Sequence, residues 1–239
     1  MSGERRRFTD PMSLTDNLVS VKHHIGEAAR KAGRNPDSIH LVVVSKQVSS
    51  EKVIEAHQAG ANCFGENKVQ EAVTKIDEVD LADVSWHFIG HLQKNKIKYL
   101  DSRFDLIHSI DSLSLAEKIS AHCENQNRKQ AVLLQVNISG EEAKFGMSPS
   151  ELEKQLPAFG QLKGIHVRGL MTLPPQDPAP ENSRKYFFAL RELRDKCQAL
   201  NISGIKLSEL SMGMTSDYKV AIEEGATIVR IGTAVFGAR

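Results

Sequence analysis

Apolar positions near the start of the chain change rhythm at about residue 39. Across 13–33 they recur at helical spacing, with Leu14, Leu18, Val21, Ile25, Ala28 and Ala29 on one face. Ser13 and Asp16 fit a capping box and Gly33 a C-cap, so the chain opens with a helix. The run Leu41, Val42, Val43, Val44 is then continuously apolar, as in a strand buried on both faces. From there short β-like runs alternate with longer amphipathic ones. The pattern predicts strands over 39–45, 62–65, 86–89, 106–109, 132–138, 167–171, 209–211 and 227–231. Between them it predicts helices over 50–59, 67–78, 93–100, 113–125, 149–160, 181–200 and 216–224. The segment 181–200 has the clearest face, built of Tyr186, Phe187, Leu190, Leu193, Cys197 and Leu200.

Such alternation implies a parallel sheet. Eight βα repeats in roughly 200 residues match the compact end of the (β/α)8 TIM barrel, with an open doubly wound sheet as the alternative. No Gly/Ser linker divides the chain, and "LPPQDPAPEN" (173–182) reads as one long loop. The expected organisation is a leader over 1–12, holding Arg5, Arg6 and Arg7 as a frayed terminus, and one barrel domain over 13–239.

Composition narrows this further. Of 239 residues, 40% are apolar and 26% charged, which is globular and argues against disorder. The formal net charge of +1 provides no field for nucleic acid or an anionic membrane. No apolar run reaches the ~20 residues of a membrane span, and no apolar core follows the arginines as in a signal peptide. The three cysteines, Cys63, Cys123 and Cys197, are widely spaced and form no CxxC pair. That argues against a disulfide framework or zinc site and for a reducing cytoplasm.

In a barrel of this type chemistry sits at the C-terminal ends of the strands. The exits carry Ser45–Lys46, "FGEN" (64–67), "IGHLQKN" (89–95), "HSID" (108–111), "NISG" (137–140), "GLMTLP" (169–174), "SMGM" (211–214) and "RIGTAVFG" (230–237). The last two suit a phosphate: each combines a hydroxyl and a glycine near a helix start, where N–H groups and the helix dipole favour an anion. Turn glycines with ordinary N-caps would look the same. Lys46, at the first strand's mouth, is either solvated punctuation or an amine able to form a Schiff base with a phosphorylated carbonyl compound. Arg230 and Lys94 are candidate cations to activate it. His87 and His91 lack a carboxylate or cysteine at metal-ligand spacing. "HSID" evokes a Ser/His/Asp hydrolase, yet no G-x-S-x-G elbow accompanies it. Asn67 reads equally as a helix cap or a ligand contact.

Taken in order, "VVVSK", "FGENKVQE", "WHFIGHLQKNK", "IHSID", "LLQVNIS", "GLMTLP", "LSMGM" followed by Ser216 and Asp217, and "VRIGTAVFG" resemble the pyridoxal phosphate homeostasis proteins, from about Leu14 to Gly237. The resemblance implies a single barrel like the N-terminal domain of alanine racemase, of the fold-type III class. It implies that Lys46 holds pyridoxal 5'-phosphate as a Schiff base. Ser211, Met212, Gly213, Gly232 and Thr233 would bind the phosphate, partly through backbone N–H groups. Arg230 would face the pyridine nitrogen, Asn67 and Met171 would line the cofactor, and His87 matches the family motif. The departure is at Gln47 and Val48, where many relatives carry Thr-Lys-Pro or similar after the lysine.

An arginine at the pyridine nitrogen opposes its protonation and weakens the electron sink. The racemase route also needs a tyrosine from a partner's C-terminal β domain. This sequence ends at Arg239, and Tyr99, Tyr186 and Tyr218 lie in or beside predicted helices. The resemblance therefore implies a monomeric, non-catalytic carrier that buffers the cofactor and hands it to apo forms of pyridoxal phosphate enzymes. The alternative is a fold-type III racemase or lyase. A more distant one is an aldolase-type enzyme using Lys46 on another phosphorylated carbonyl.

Overall fold

The computed structural model describes residues 13–237. The predicted leader, its arginines, and Ala238 and Arg239 lie outside the described residues. Helix α1 (Leu14–Lys31) begins at Ser13, whose hydroxyl accepts the Asp16 N–H while the Asp16 carboxylate accepts the Ser13 N–H. The predicted capping box is therefore present. Its apolar face packs on α7 (Tyr218–Glu223) and α8 (Thr233–Phe236).

Eight parallel strands close into a barrel in sequence order: β1 (His40–Val44), β2 (Cys63–Glu66), β3 (Ser85–Phe88), β4 (Phe104–Ile110), β5 (Gln130–Gln135), β6 (Ile165–Met171), β7 (Ile205–Ser211) and β8 (Ile228–Ile231). Closure pairs β8 with β1, with Arg230 opposite Val42 and Ile231 opposite Val43. The outer layer comprises α2 (Ser50–Gln58), α3 (Val69–Val79), α4 (Leu113–Glu124), α5 (Pro149–Gly160) and α6 (Arg184–Ala199), along with α7.

Several boundaries differ from the pattern-based ones. The helix expected over 93–100 is a 3-10 turn, Lys94–Tyr99, tied by short bonds such as Lys96 N–H to Gln93 O. The predicted 181–200 helix splits into a 3-10 turn, Pro180–Ser183, and α6. Strand β5 ends at Gln135, not 138, because Met147 returns to bond Gln135 O and to receive the Asn137 N–H. Strand β7 starts four residues before the predicted 209.

Strand alternation sorts the side chains into two sets. Val42, Leu106, Leu133, Met171 and Ile228 meet inside the barrel as an apolar ring. Val43, Phe64, Leu134, Leu170 and Val229 face the helices in the main core. Moving two residues towards the C-terminal end, beyond the inner ring, brings up His108 from Leu106 and Arg230 from Ile228. The polar layer of the barrel thus lies directly on an apolar floor.

Candidate functional site

At the end of β1 the chain makes a turn over 45–48, closed by Val48 N–H to Ser45 O at 3.0 Å. Gln47 takes a left-handed φ of +57°, a conformation a proline ring forbids. Lys46 is exposed and makes no hydrogen bond or ion pair with the described residues. Its neighbour is held firmly. Ser45 and Glu66 are both fully buried. Ser45 Oγ donates to Glu66 Oε1 at 2.7 Å, and Lys75 Nζ donates to the same oxygen at 2.6 Å and to Ser45 O at 2.7 Å. The lysine therefore extends from a base clamped to β2 and α3.

Inside the barrel four polar side chains form one chain. Arg230 donates through Nη1 to Ser211 Oγ and through Nη2 to Thr172 O at 3.0 Å. Ser211 Oγ lies 2.8 Å from His108 Nδ1, and His108 Nε2 lies 3.0 Å from His87 Nδ1. Burial drives these groups towards their neutral forms. It lowers Arg230 to about 10, where the guanidinium is still charged at neutral pH, and His87 to about 4. Burial, then the neighbouring His87 and Arg230, hold His108 well below the usual imidazole range. Register shifts at Trp86/His87 and across Ile107/Ile110 flank both histidines, and such bulges re-aim side chains at barrel rims.

The two loops read as phosphate-binding meet over the end of the barrel. Gly213 has φ +93°, and a Cβ there would sit 2.6 Å from Ala221 Cβ and 2.9 Å from Tyr218 Cα. Its carbonyl accepts the Arg230 N–H at 3.0 Å, which ties this loop to β8. Met214 N–H donates to Asp217 Oδ1 at 2.7 Å. Thr233 Oγ1 donates to Thr215 Oγ1 at 3.1 Å, joining the loops directly. A Cβ at Gly232 would come within 3.1 Å of Val44 O, so backbone there lies close to β1.

The structure thus gathers Lys46, His87, Met171, Ser211, Gly213, Arg230, Gly232 and Thr233 at the C-terminal ends of their strands. Three of the predicted residues contribute differently from their motif. The Met212 side chain is buried in the outer core, leaving its backbone at the rim. The Ser211 hydroxyl is engaged by Arg230 and His108. Asn67 does not cap α3, whose N-cap is Lys68; its Oδ1 is buried with no hydrogen-bond partner among the described residues. Of the candidate activating cations, Lys94 donates instead to Ser114 Oγ at 2.7 Å. His91 pairs with Asp111 at 3.2 Å and stacks on Phe145 with ring centroids 3.7 Å apart. Sequence reasoning missed Glu66, Lys75, Thr172 and the part played by His108, although "FGEN", "GLMTLP" and "HSID" mark three of their segments.

The geometry defines a (β/α)8 barrel with an amine that has no partner among the described residues at the end of β1 and a buried guanidinium on the adjacent strand β8. Comparison with known proteins agrees. The family model described as "Alanine racemase, N-terminal domain" matches residues 17–239. A pyridoxal phosphate homeostasis protein of Aquifex aeolicus is 44% identical over 228 residues, 95% of this chain and 99% of that one. The structure of PipY of Synechococcus elongatus PCC7942 with PLP bound superposes with a TM-score of 0.82 at 35% identity, covering 94% of this chain and 100% of that one. Alanine racemase of Clostridium difficile 630 shares the fold, with a TM-score of 0.71 at 16% identity over 98% of this chain and 60% of that one. The chain belongs to the pyridoxal phosphate homeostasis protein family, whose barrel is that of the alanine racemase N-terminal domain.

The residues present fit a pyridoxal phosphate group. Lys46, without a partner among the described residues, would supply an amine for an aldehyde, and Arg230 would supply a donor for a ring nitrogen. The Gly213 and Gly232 loops bring backbone and threonine hydroxyls together for an anion, and Asn67 Oδ1 is a buried acceptor without a donor.

Proposed function

We propose that this protein holds pyridoxal 5'-phosphate reversibly as a Schiff base on Lys46, and so takes part in its homeostasis without substantial turnover of amino acids. The observation that carries the reading is the contrast at β1: an amine free of partners among the described residues, on a backbone fixed by Glu66 and Lys75. When bound, the cofactor supplies an aldehyde for amines and a ring that can accept electron density. Arg230 faces the ring nitrogen and, as a cation, opposes its protonation. The 211–217 and 232–233 segments hold the phosphate, partly through backbone N–H groups, and Asn67, His87 and Met171 line the cofactor. Release follows when an incoming amine displaces Lys46, which suits buffering and delivery to apo-enzymes by a cytoplasmic monomer. In the described residues no helix is long and apolar enough to cross a membrane.

The test is the visible spectrum of the protein and of Lys46→Ala after adding pyridoxal phosphate, followed by borohydride reduction and peptide mass mapping. A yellow protein with a pyridoxyl group on Lys46, absent in the variant, is expected. A colourless, unmodified protein would remove the reading. Steady racemisation or elimination at enzyme-like rates would replace it with a fold-type III enzyme.

A further inference from the structure

A guanidinium has no lone pair to offer, so the contacts of Arg230 fix a direction. Ser211 Oγ accepts from Arg230 Nη1, and its own proton must go elsewhere. Ser211 is fully buried, and the only other polar atom bonded to Oγ in the described residues is His108 Nδ1, at 2.8 Å. The hydroxyl therefore donates to Nδ1, which puts the His108 proton on Nε2. From there it points to His87 Nδ1 at 3.0 Å, so His87 in turn carries its proton on Nε2. The reverse polarity, with Nδ1–H on both rings, would leave the serine proton without an acceptor in a buried site. Depression of both histidines by burial keeps the rings neutral, so neither end is reset by a second proton. His87 is only partly buried, and among the described residues its Nε2 has no partner while remaining accessible.

We propose that His108 is a positioning residue that sets the polarity of this chain, holding Arg230 through Ser211 and fixing His87 as the Nε2–H tautomer. Both ends of the chain then present donors. Resting on the cofactor reading above, this gives the site a selectivity: whatever faces Arg230 and His87 must offer acceptors, such as an unprotonated ring nitrogen or an anionic oxygen.

Long-range nitrogen–proton NMR spectra of histidine-15N-labelled protein, recorded without added ligand, read the tautomers directly. His87→Gln and His108→Gln assign the two rings. At pH 7 both are expected as pure Nε2–H forms. Ser211→Ala removes the donor to His108, and His87, which makes no hydrogen bond to Ser211, then shows a mixture of tautomers. Ser211→Thr keeps a hydroxyl and restores the single form. Nδ1–H or imidazolium on either ring of the parent overturns the proposal, and that outcome stands even if Ser211→Ala does not fold. An unaltered His87 in folded Ser211→Ala overturns it too. Absorbance with pyridoxal phosphate is scored separately. The expected tautomers in a protein that takes up no cofactor would remove the functional reading and leave the chain standing; the opposite tautomers in a protein that labels at Lys46 would do the reverse.

Discussion

Replacing Lys75 by methionine tests whether a buried ion pair holds the base under Lys46. The substitution keeps much of the side-chain volume and removes only the ammonium. Glu66 Oε1 then keeps one donor, Ser45 Oγ at 2.7 Å, and Oε2 has none in the parent. The Ser45 carbonyl retains the Val48 N–H at 3.0 Å, so the backbone loses little. The dominant cost is the stranded carboxylate, fully buried on β2. Breaking one side of a buried pair costs about 3–5 kcal/mol, against about 1 kcal/mol for an ordinary hydrogen bond. With a urea slope of about 3 kcal/mol/M the unfolding midpoint falls by roughly 1–1.7 M. Trp86, the single tryptophan, is buried against Phe64 at 5.6 Å between ring centroids and reports the transition by fluorescence. Adding Glu66→Gln removes the stranded charge and leaves a carbonyl oxygen for Ser45. The double variant should therefore recover about 2 kcal/mol relative to the two single losses added together. A Lys75→Met midpoint within about 0.3 M of the parent, or strict additivity in the double variant, would refute the reasoning.

The His87 ring links stability to acid. Its pKa is depressed to about 4 from an unfolded value near 6.5, so the unfolded chain takes up the proton first. Stability is full above about pH 6.5 and falls by up to ~3 kcal/mol as the pH drops towards 4; urea midpoints for His87→Gln should show a shallower slope over that window. At Gly213 a methyl group meets both a left-handed φ of +93° and contacts of 2.6 and 2.9 Å. Gly213→Ala should cost about 2–5 kcal/mol in chemical denaturation, well above Gly232→Ala, whose tightest contact is 3.1 Å; equal losses would contradict this.

Sequence periodicity revealed the barrel because strands such as β1 and β5 are apolar runs set between amphipathic helices, and parallel strands buried on both faces carry that signal strongly. It singled out Lys46 because the lysine comes two residues after the end of such a run. It undervalued β7, where Lys206 and Ser208 interrupt the apolar pattern with exposed polar positions at the entrance to the strand. It could not show the Glu66–Lys75 pair. Glu66 sits inside a segment that reads as a helix start, and Lys75 lies on a helix where lysine ordinarily faces water. Only the packing of α3 on β2 places them together. His108 was hidden for a similar reason: the register shifts around it belong to strand pairing and leave no mark in the hydrophobic pattern.

The polarity of the interior chain also bears on why such a site would hold a cofactor instead of turning over amino acids. Abstracting a proton needs a positioned acceptor. Arg230 has none to give, and in the proposed polarity Ser211 Oγ accepts from Arg230 while the Nδ1 atoms of His108 and His87 accept from Ser211 and His108. Glu66, the carboxylate nearest Lys46 in the chain of contacts, faces α3 on the outer side and is clamped by Lys75. Tyr218 is buried in α7, and burial raises its pKa, which disfavours the phenolate a tyrosine base would need. The polar chain presents donors alone, so the acceptor left to alanine is the Lys46 amine it displaces. In the proposed reading Arg230 opposes the ring protonation that would draw electron density from the α-carbon. The protein loaded with pyridoxal phosphate should therefore exchange the α-hydrogen of alanine with solvent deuterium no faster than free pyridoxal phosphate does, as followed by proton NMR. An acceleration of more than about tenfold, some 1.4 kcal/mol of barrier, would mean that the displaced Lys46 amine or another group works as a base and that the site is catalytic.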